Sequence, residues 1–375
     1  MNAIQQLHGL GQSLWLDNIT RGLLIDGTLR RYIHAYCVTG LTSNPAIFER
    51  AITHGGLYGD AIRRNAAAGK SAETSFFDLA LRDLVEAADL FRQVHYGTDR
   101  VDGWVSLEVS PLLADDASGM IEAASRLRAQ ARRPNLFIKI PGTPAGLIAI
   151  EESVFAGVPV NVTLLFSTEQ YLAAAEAYMR GIARRIEAGL HPEVASVASL
   201  FVSRWDVAVN GSVPGKLRNR LGIAIAQRTY KAYRALLLSP EWRALERAGA
   251  RRQRLLWAST GTKDPDAPET MYVQALAAPD TINTIPEKTL HAFAKRGQVT
   301  ALMPADGGDA EAILAEFRAS GVDDVELAAE LQREGIASFV RSWHALLECI
   351  AAKGAWEPMD TLSGAACGHE SGSPA

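Results

Sequence analysis

Short apolar runs of strand length alternate with longer amphipathic stretches rich in Ala, Leu, Arg and Glu along almost the whole chain. Such alternation predicts repeated β-α units and a parallel sheet. Eight runs stand out: SLWLDN (13–18), VTGLTSN (38–44), GWVSLEVS (103–110), LFIKIPG (136–142), PVNVTLLFS (159–167), VASLFVSR (197–204), RLLWAST (254–260) and DTINTIP (280–286). Eight is the number that closes a (β/α)8, or TIM, barrel. The competing open, doubly wound sheet usually carries GxGxxG after its first strand. Neither that fingerprint nor GxxxxGK[ST] occurs here, which favours the closed barrel.

The helical stretches carry their own punctuation. In STEQYLAAAEAYMRGIARRIEAG, Ser167 is placed to cap the start and Gly189 to end the last turn. NRLGIAIAQRTYKAYRALL follows the sixth run. The connection after Thr42 is long and partly helical (IFERAI, DAIRRNAAA, DLALRDLVEAADLFRQV), so an insertion is expected after the second strand. DAEAILAEFRASG and ELQREGIASFVRSWHALLECIAAK read as closing helices. The chain is therefore expected to be one barrel domain with flanking helices over residues 1–353, followed by a Gly/Ser-rich, flexible tail over 354–375.

Side chains alternate along a strand, so each run divides into two faces. Leu136, Ile138 and Ile140 form one aliphatic face of LFIKIP, while Lys139 shares the other with Phe137. Val105, Leu107 and Val109 likewise oppose Ser106, Glu108 and Ser110, and Leu14 and Leu16 oppose Trp15 and Asp17. Val160, Val162 and Leu164 oppose Asn161 and Thr163, and Ala198, Leu200 and Val202 oppose Ser199, Phe201 and Ser203. In a barrel the aliphatic face meets the helices and the other points inward, so polar groups converge inside. A buried ammonium is costly without partners, and Asp17 and Glu108 lie toward the C-terminal ends of their strands, where barrel active sites form. A desolvated lysine there can attack a carbonyl while carboxylates move protons, which is Schiff-base chemistry. Taken singly, each residue also has a plainer reading: Lys139 as a snorkelling edge residue, Asp17 as a helix cap, Glu108 as a buried ion-pair partner, Asn44 as a turn or helix start.

Composition narrows the class further. The net charge of −4 arises from interspersed acids and bases, which argues against nucleic acid or an anionic membrane as partner. The start has no basic segment leading into an apolar one, and no run reaches the length of a membrane span. Three separated cysteines, Cys37, Cys349 and Cys367, argue against a disulfide framework and for the cytoplasm. No histidine sits at an expected strand end and neither HxH nor HExxH occurs, so metal catalysis is disfavoured.

The stretches LWLDNITR, GLTSNPAIF, SLEVSP, LFIKIPGT, VNVTLLFS, SLFVSRWD, LLWASTGTKDP and NTIPEKTL resemble, in order, the strand ends of the transaldolase family, over roughly residues 14–290. That resemblance implies a (β/α)8 barrel without a cofactor or metal, acting on sugar phosphates as a monomer or homodimer. It implies Lys139 as the Schiff-base lysine, Asp17 as acid/base for carbon–carbon cleavage, Glu108 as acid/base through a water, and Thr163 as the holder of that water. Asn44, Asn161 and Ser199 would bind hydroxyls of a dihydroxyacetone unit, with Thr42 and Phe201 lining the site and Arg204 binding phosphate. Many members carry an arginine shortly after the Ala-Ser of strand seven. Here Ala258-Ser259 leads into Thr260-Gly261-Thr262-Lys263, so Lys263 with Ser259 is the expected substitute phosphate contact, as a point charge without a bidentate fork. The implied reaction exchanges sedoheptulose 7-phosphate and glyceraldehyde 3-phosphate with erythrose 4-phosphate and fructose 6-phosphate in the pentose phosphate pathway. The alternatives are an aldolase of the same family that releases free dihydroxyacetone, and a non-catalytic barrel.

Overall fold

A computed structural model describes residues 3–355. Eight parallel strands close in chain order: β1 (Ser13–Leu16), β2 (Val38–Leu41), β3 (Trp104–Glu108), β4 (Leu136–Pro141), β5 (Val160–Leu165), β6 (Ser196–Phe201), β7 (Arg254–Ala258) and β8 (Ile282–Ile285), with β8 pairing back onto β1. Each strand falls within its expected run, apart from β6, which begins one residue earlier at Ser196. All strand residues are buried, as a sheet wrapped by helices requires.

The expected division of faces is visible in contacts between strands that are not neighbours, which only the barrel interior can bring together. Trp15 of β1 packs on Phe137 of β4, with ring centroids 6.3 Å apart. Asn161 of β5 donates to Ser106 Oγ of β3 at 3.1 Å. The floor of the barrel is a buried polar knot. Asp102 accepts from Ser13 Oγ (2.6 Å), Trp15 Nε1 (3.0 Å) and Arg254 Nη1 (3.2 Å), so its charge is matched in direction and number. Gly40 of β2 leaves the room that the Trp15 indole occupies. A Cβ there would lie 2.6 Å from Trp15 Cε2 and 2.8 Å from the Trp104 carbonyl oxygen. Gly40→Ala is therefore expected to destabilise the fold by about 1–3 kcal/mol, read as a lower urea midpoint with an unchanged slope.

Helix ends follow the local signals. Ser167 and Gln170 form a reciprocal capping box on Thr168–Glu187, and Gly189 takes φ 69 just beyond it. The helix expected after the sixth run is Leu221–Leu236, and a short helix, Ser203–Val209, comes before it at the end of β6. The insertion after β2 consists of helices Pro45–His54, Gly59–Ala67, Ala72–Leu90 and Arg92–Gly97, with one 3-10 turn. The closing helices are Ala310–Ala319 and Asp324–Ala355. The last begins before the expected start at 330 because Asp323 Oδ1 accepts from the Val325 and Glu326 amides and so supplies the cap. It also runs past the boundary expected at 353, so Gly354 and Ala355 belong to it, while the rest of the expected tail lies outside the described residues. This helix returns across the insertion, where Trp343 meets Phe76 edge to face at 5.0 Å and Phe76 meets Phe48 at 5.3 Å. It thereby reaches the mouth of the barrel: Gln332 Nε2 donates to the carbonyl oxygens of Gly142 (3.1 Å) and Leu164 (2.9 Å), just past β4 and near the end of β5.

Candidate active site

The C-terminal ends of the strands surround a chamber of about 140 Å³. Asp17, Thr42, Asn44, Lys139, Thr163, Ser199, Phe201, Arg204, Ser259 and Lys263 all line it. Glu108 and Asn161, the other two expected residues, stand directly behind and are bonded to lining side chains.

Parallel register places Glu108 beside Lys139 and Lys139 beside Asn161 on adjacent strands. Lys139 is 4% exposed, which rules out a snorkelling edge residue. Its ammonium donates to Glu108 Oε2 at 3.1 Å and to the Ser43 carbonyl oxygen at 3.0 Å. Glu108 is thus both a buried ion-pair partner and the base nearest the amine. Burial raises its carboxyl above the ordinary glutamate range, and Asp17 adds to the rise; Lys139 and Arg204 oppose it.

Asp17 follows β1 and does not cap a helix. Thr20 does that, accepting from Leu23 N at 3.2 Å. Asp17 Oδ1 instead accepts from Thr42 Oγ1 at 2.8 Å, and Thr42 Oγ1 shares a 2.7 Å hydrogen bond with Thr284 Oγ1. Burial raises the Asp17 carboxyl too, against the lowering effects of Lys139, the Thr42 hydrogen bond, Arg50 and Lys263. Asn44 serves two ends: its Oδ1 accepts from Ile47 N at 3.0 Å and caps Pro45–His54, while the residue lines the chamber. Ser199 Oγ donates to Asn161 Oδ1 at 2.7 Å, and Asn161 Nδ2 reaches Ser106, so one amide is held at both ends. Thr163 Oγ1 is buried without a protein partner among the described residues.

Arg204 lies over Phe201, 5.3 Å from the ring centroid, and 5.8 Å from that of Phe339. Ser259 adopts φ 55, an uncommon conformation for a residue with a Cβ, and shares a 2.9 Å hydrogen bond with Ser203. Strain of this kind concentrates where function fixes the backbone. The chamber also includes residues that the sequence reading passed over: Thr284, Pro286, Ala258, Gly261 and Phe339. Thr284 was within reach of the face argument, being a polar residue in the eighth run. Phe339 was not, because it arrives from a helix beginning at Asp324. Among the described residues no group of three His, Cys, Asp or Glu is placed to hold a metal ion, and no helix is long and apolar enough to cross a membrane.

A buried amine beside one raised carboxyl and facing a second has the parts for imine formation followed by proton abstraction. The model of the transaldolase/fructose-6-phosphate aldolase family matches residues 14–350. A transaldolase of Neisseria gonorrhoeae is 42% identical over 350 residues, covering 92% of this chain and 99% of its own. One of Thiobacillus denitrificans is 42% identical over 358 residues (93% and 100%), and one of an Arthrobacter species is 43% identical over 352 (92% and 95%).

Proposed function

The chain belongs to the transaldolase/fructose-6-phosphate aldolase family and its activity is that of a transaldolase, and from that premise we propose that Lys139 carries a dihydroxyacetone unit as a Schiff base between ketose and aldose phosphates. The observation that carries the assignment is the buried Lys139 ammonium, 3.1 Å from Glu108 in a chamber that Asp17 also lines.

The amine, having passed a proton to Glu108, adds to the ketone carbon of a ketose phosphate. Glu108, through a water positioned by Thr163, protonates the hydroxyl of the carbinolamine, which leaves as water and yields an iminium. Asp17 then takes the proton of the hydroxyl adjacent to the breaking bond. That bond's electron pair flows into the iminium, an aldose phosphate departs, and a three-carbon enamine remains on Lys139. A second aldose phosphate is attacked by the enamine, Asp17 returns the proton, and hydrolysis releases the new ketose. Asn44, Asn161 and Ser199 hold the hydroxyls of the three-carbon unit, and Arg204, with Ser259 and Lys263, holds phosphate. The substrates are sedoheptulose 7-phosphate and glyceraldehyde 3-phosphate, exchanged with erythrose 4-phosphate and fructose 6-phosphate. The free thiols of Cys37 and Cys349 support a reducing, cytoplasmic setting.

Borohydride added with fructose 6-phosphate is expected to fix a three-carbon adduct on Lys139, located by peptide mass. Consumption of fructose 6-phosphate should require an acceptor aldose phosphate; release of free dihydroxyacetone without one would place the enzyme on the aldolase side of the family. Arg204→Ala is expected to raise KM for phosphorylated ketoses about tenfold to a hundredfold, the worth of a hydrogen bond to a charged group.

The raised carboxyls set the acid limb. Asp17 acts as a base only when ionised, and burial lifts its carboxyl above 3.8. Glu108, which receives the lysine proton, is lifted above 4.5. The kcat/KM profile is therefore expected to fall on the acid side with a midpoint above pH 4.5, since both groups must be ionised in the free enzyme. A profile flat down to pH 4 would contradict these roles.

A further inference from the structure

Arg204 lies in the first turn of the short helix at the end of β6 and lines the chamber with its donors unspent. Among the described residues it makes no hydrogen bond and no ion pair, and Glu334 and Glu108 act on it only through their charge. A free guanidinium fork can grip a phosphate through two bonds, but no polar partner then fixes where the fork points. Packing has to do so. The guanidinium carbon lies 5.3 Å from the centroid of Phe201, at the end of β6, and 5.8 Å from that of Phe339, on the last helix.

The last helix meets this group with one face, because Gln332, Gly335 and Phe339 fall at i, i+3 and i+7. Gln332 seats the helix on the barrel mouth through the Gly142 and Leu164 carbonyl oxygens. Leu164 itself adopts φ 59, in the left-handed region, where β5 breaks register with β6. One turn on, a Cβ at Gly335 would stand 2.9 Å from Leu164 Cδ2 and 3.1 Å from Arg204 Nη1. The helix comes this close to the arginine only because position 335 carries no side chain. Gly335 is buried behind the chamber wall, whereas Phe339 is part of that wall.

On the reading that Arg204 binds phosphate, we propose that Gly335 and Phe339 are positioning residues for its guanidinium, through which the last helix sets the preference for phosphorylated over neutral sugars. The Phe339 ring holds the guanidinium, and the bare backbone at Gly335 leaves Nη1 its place.

The test is the ratio of kcat/KM for erythrose 4-phosphate to that for erythrose as acceptor, with fructose 6-phosphate kept at saturation in each variant. Gly335→Ala crowds Nη1 and Phe339→Leu removes the ring, so each is expected to lower the ratio about threefold to tenfold, less than Arg204→Ala does. In the Arg204→Ala background neither substitution should lower it further, because the group they act through is gone. Equal losses for both acceptors, which leave the ratio unchanged, would reduce the helix to a structural role and overturn the proposal. So would losses that add to that of Arg204→Ala, since the helix would then touch substrate directly. One substitution adds volume and the other removes it, so if either variant misfolds the other still decides. Arg204→Ala alone separates the two levels. If its ratio stays at the wild-type value, the phosphate assignment itself fails; if its ratio falls and those of the helix variants do not, only the positioning role fails.

Discussion

Lys139→Ala is expected to reduce transaldolase turnover by at least about four orders of magnitude and to abolish the borohydride-trapped adduct. No second amine can take over. Lys263, the other lysine of the chamber, sits on the loop after β7 and has no carboxylate partner comparable to Glu108 among the described residues. Removing the ammonium leaves Glu108 buried without its cation and takes away the charge that opposes the rise of its carboxyl on burial. Loss of one partner of a buried ion pair destabilises, so the thermal melt is expected to fall below that of the wild type, and the adduct is assayed at a temperature where the variant remains folded. An adduct surviving on another residue would move the nucleophile away from Lys139.

Asp17→Asn is expected to separate the two halves of the reaction. The amide keeps the shape of the carboxyl and still accepts from Thr42 Oγ1, which reaches Oδ1 at 2.8 Å. It cannot take the hydroxyl proton. Imine formation, which depends on Lys139 and Glu108, should persist, while cleavage should slow by about 10²–10⁴-fold, the usual share of a positioned base. The trapped species is the direct readout: with fructose 6-phosphate, borohydride should fix the intact six-carbon phosphate on Lys139 instead of the three-carbon fragment. Loss of imine formation with cleavage otherwise normal would contradict the role.

How much of this was legible in the chain depended on range. The eight runs locate the strands because a buried strand must be apolar on the face it turns to the helices, a rule with a period of two residues. Splitting LFIKIP into faces isolates Lys139, and the same operation yields Glu108, Asp17, Asn161, Thr163 and Ser199 from their own runs. The polar residues at strand ends gather because the barrel closes, bringing Glu108 against Lys139 and Asn161 between Ser106 and Ser199. The early start of the last helix was missed because its cap, Asp323, lies outside the amphipathic stretch that announces it.

The sequence by itself determined the periodicity: eight strand runs, the helices between them, and which face of each strand is polar. These are local consequences of side-chain alternation and backbone capping. Tertiary structure alone decided what depends on distant segments meeting. It brought Phe339 and Gln332 from the last helix over the barrel mouth, gave Thr42 its bonds to Asp17 and Thr284, and supplied the Ser43 carbonyl to Lys139. None of those contacts has a period, because each joins residues whose separation along the chain is set by topology rather than by the repeat of a helix or a strand.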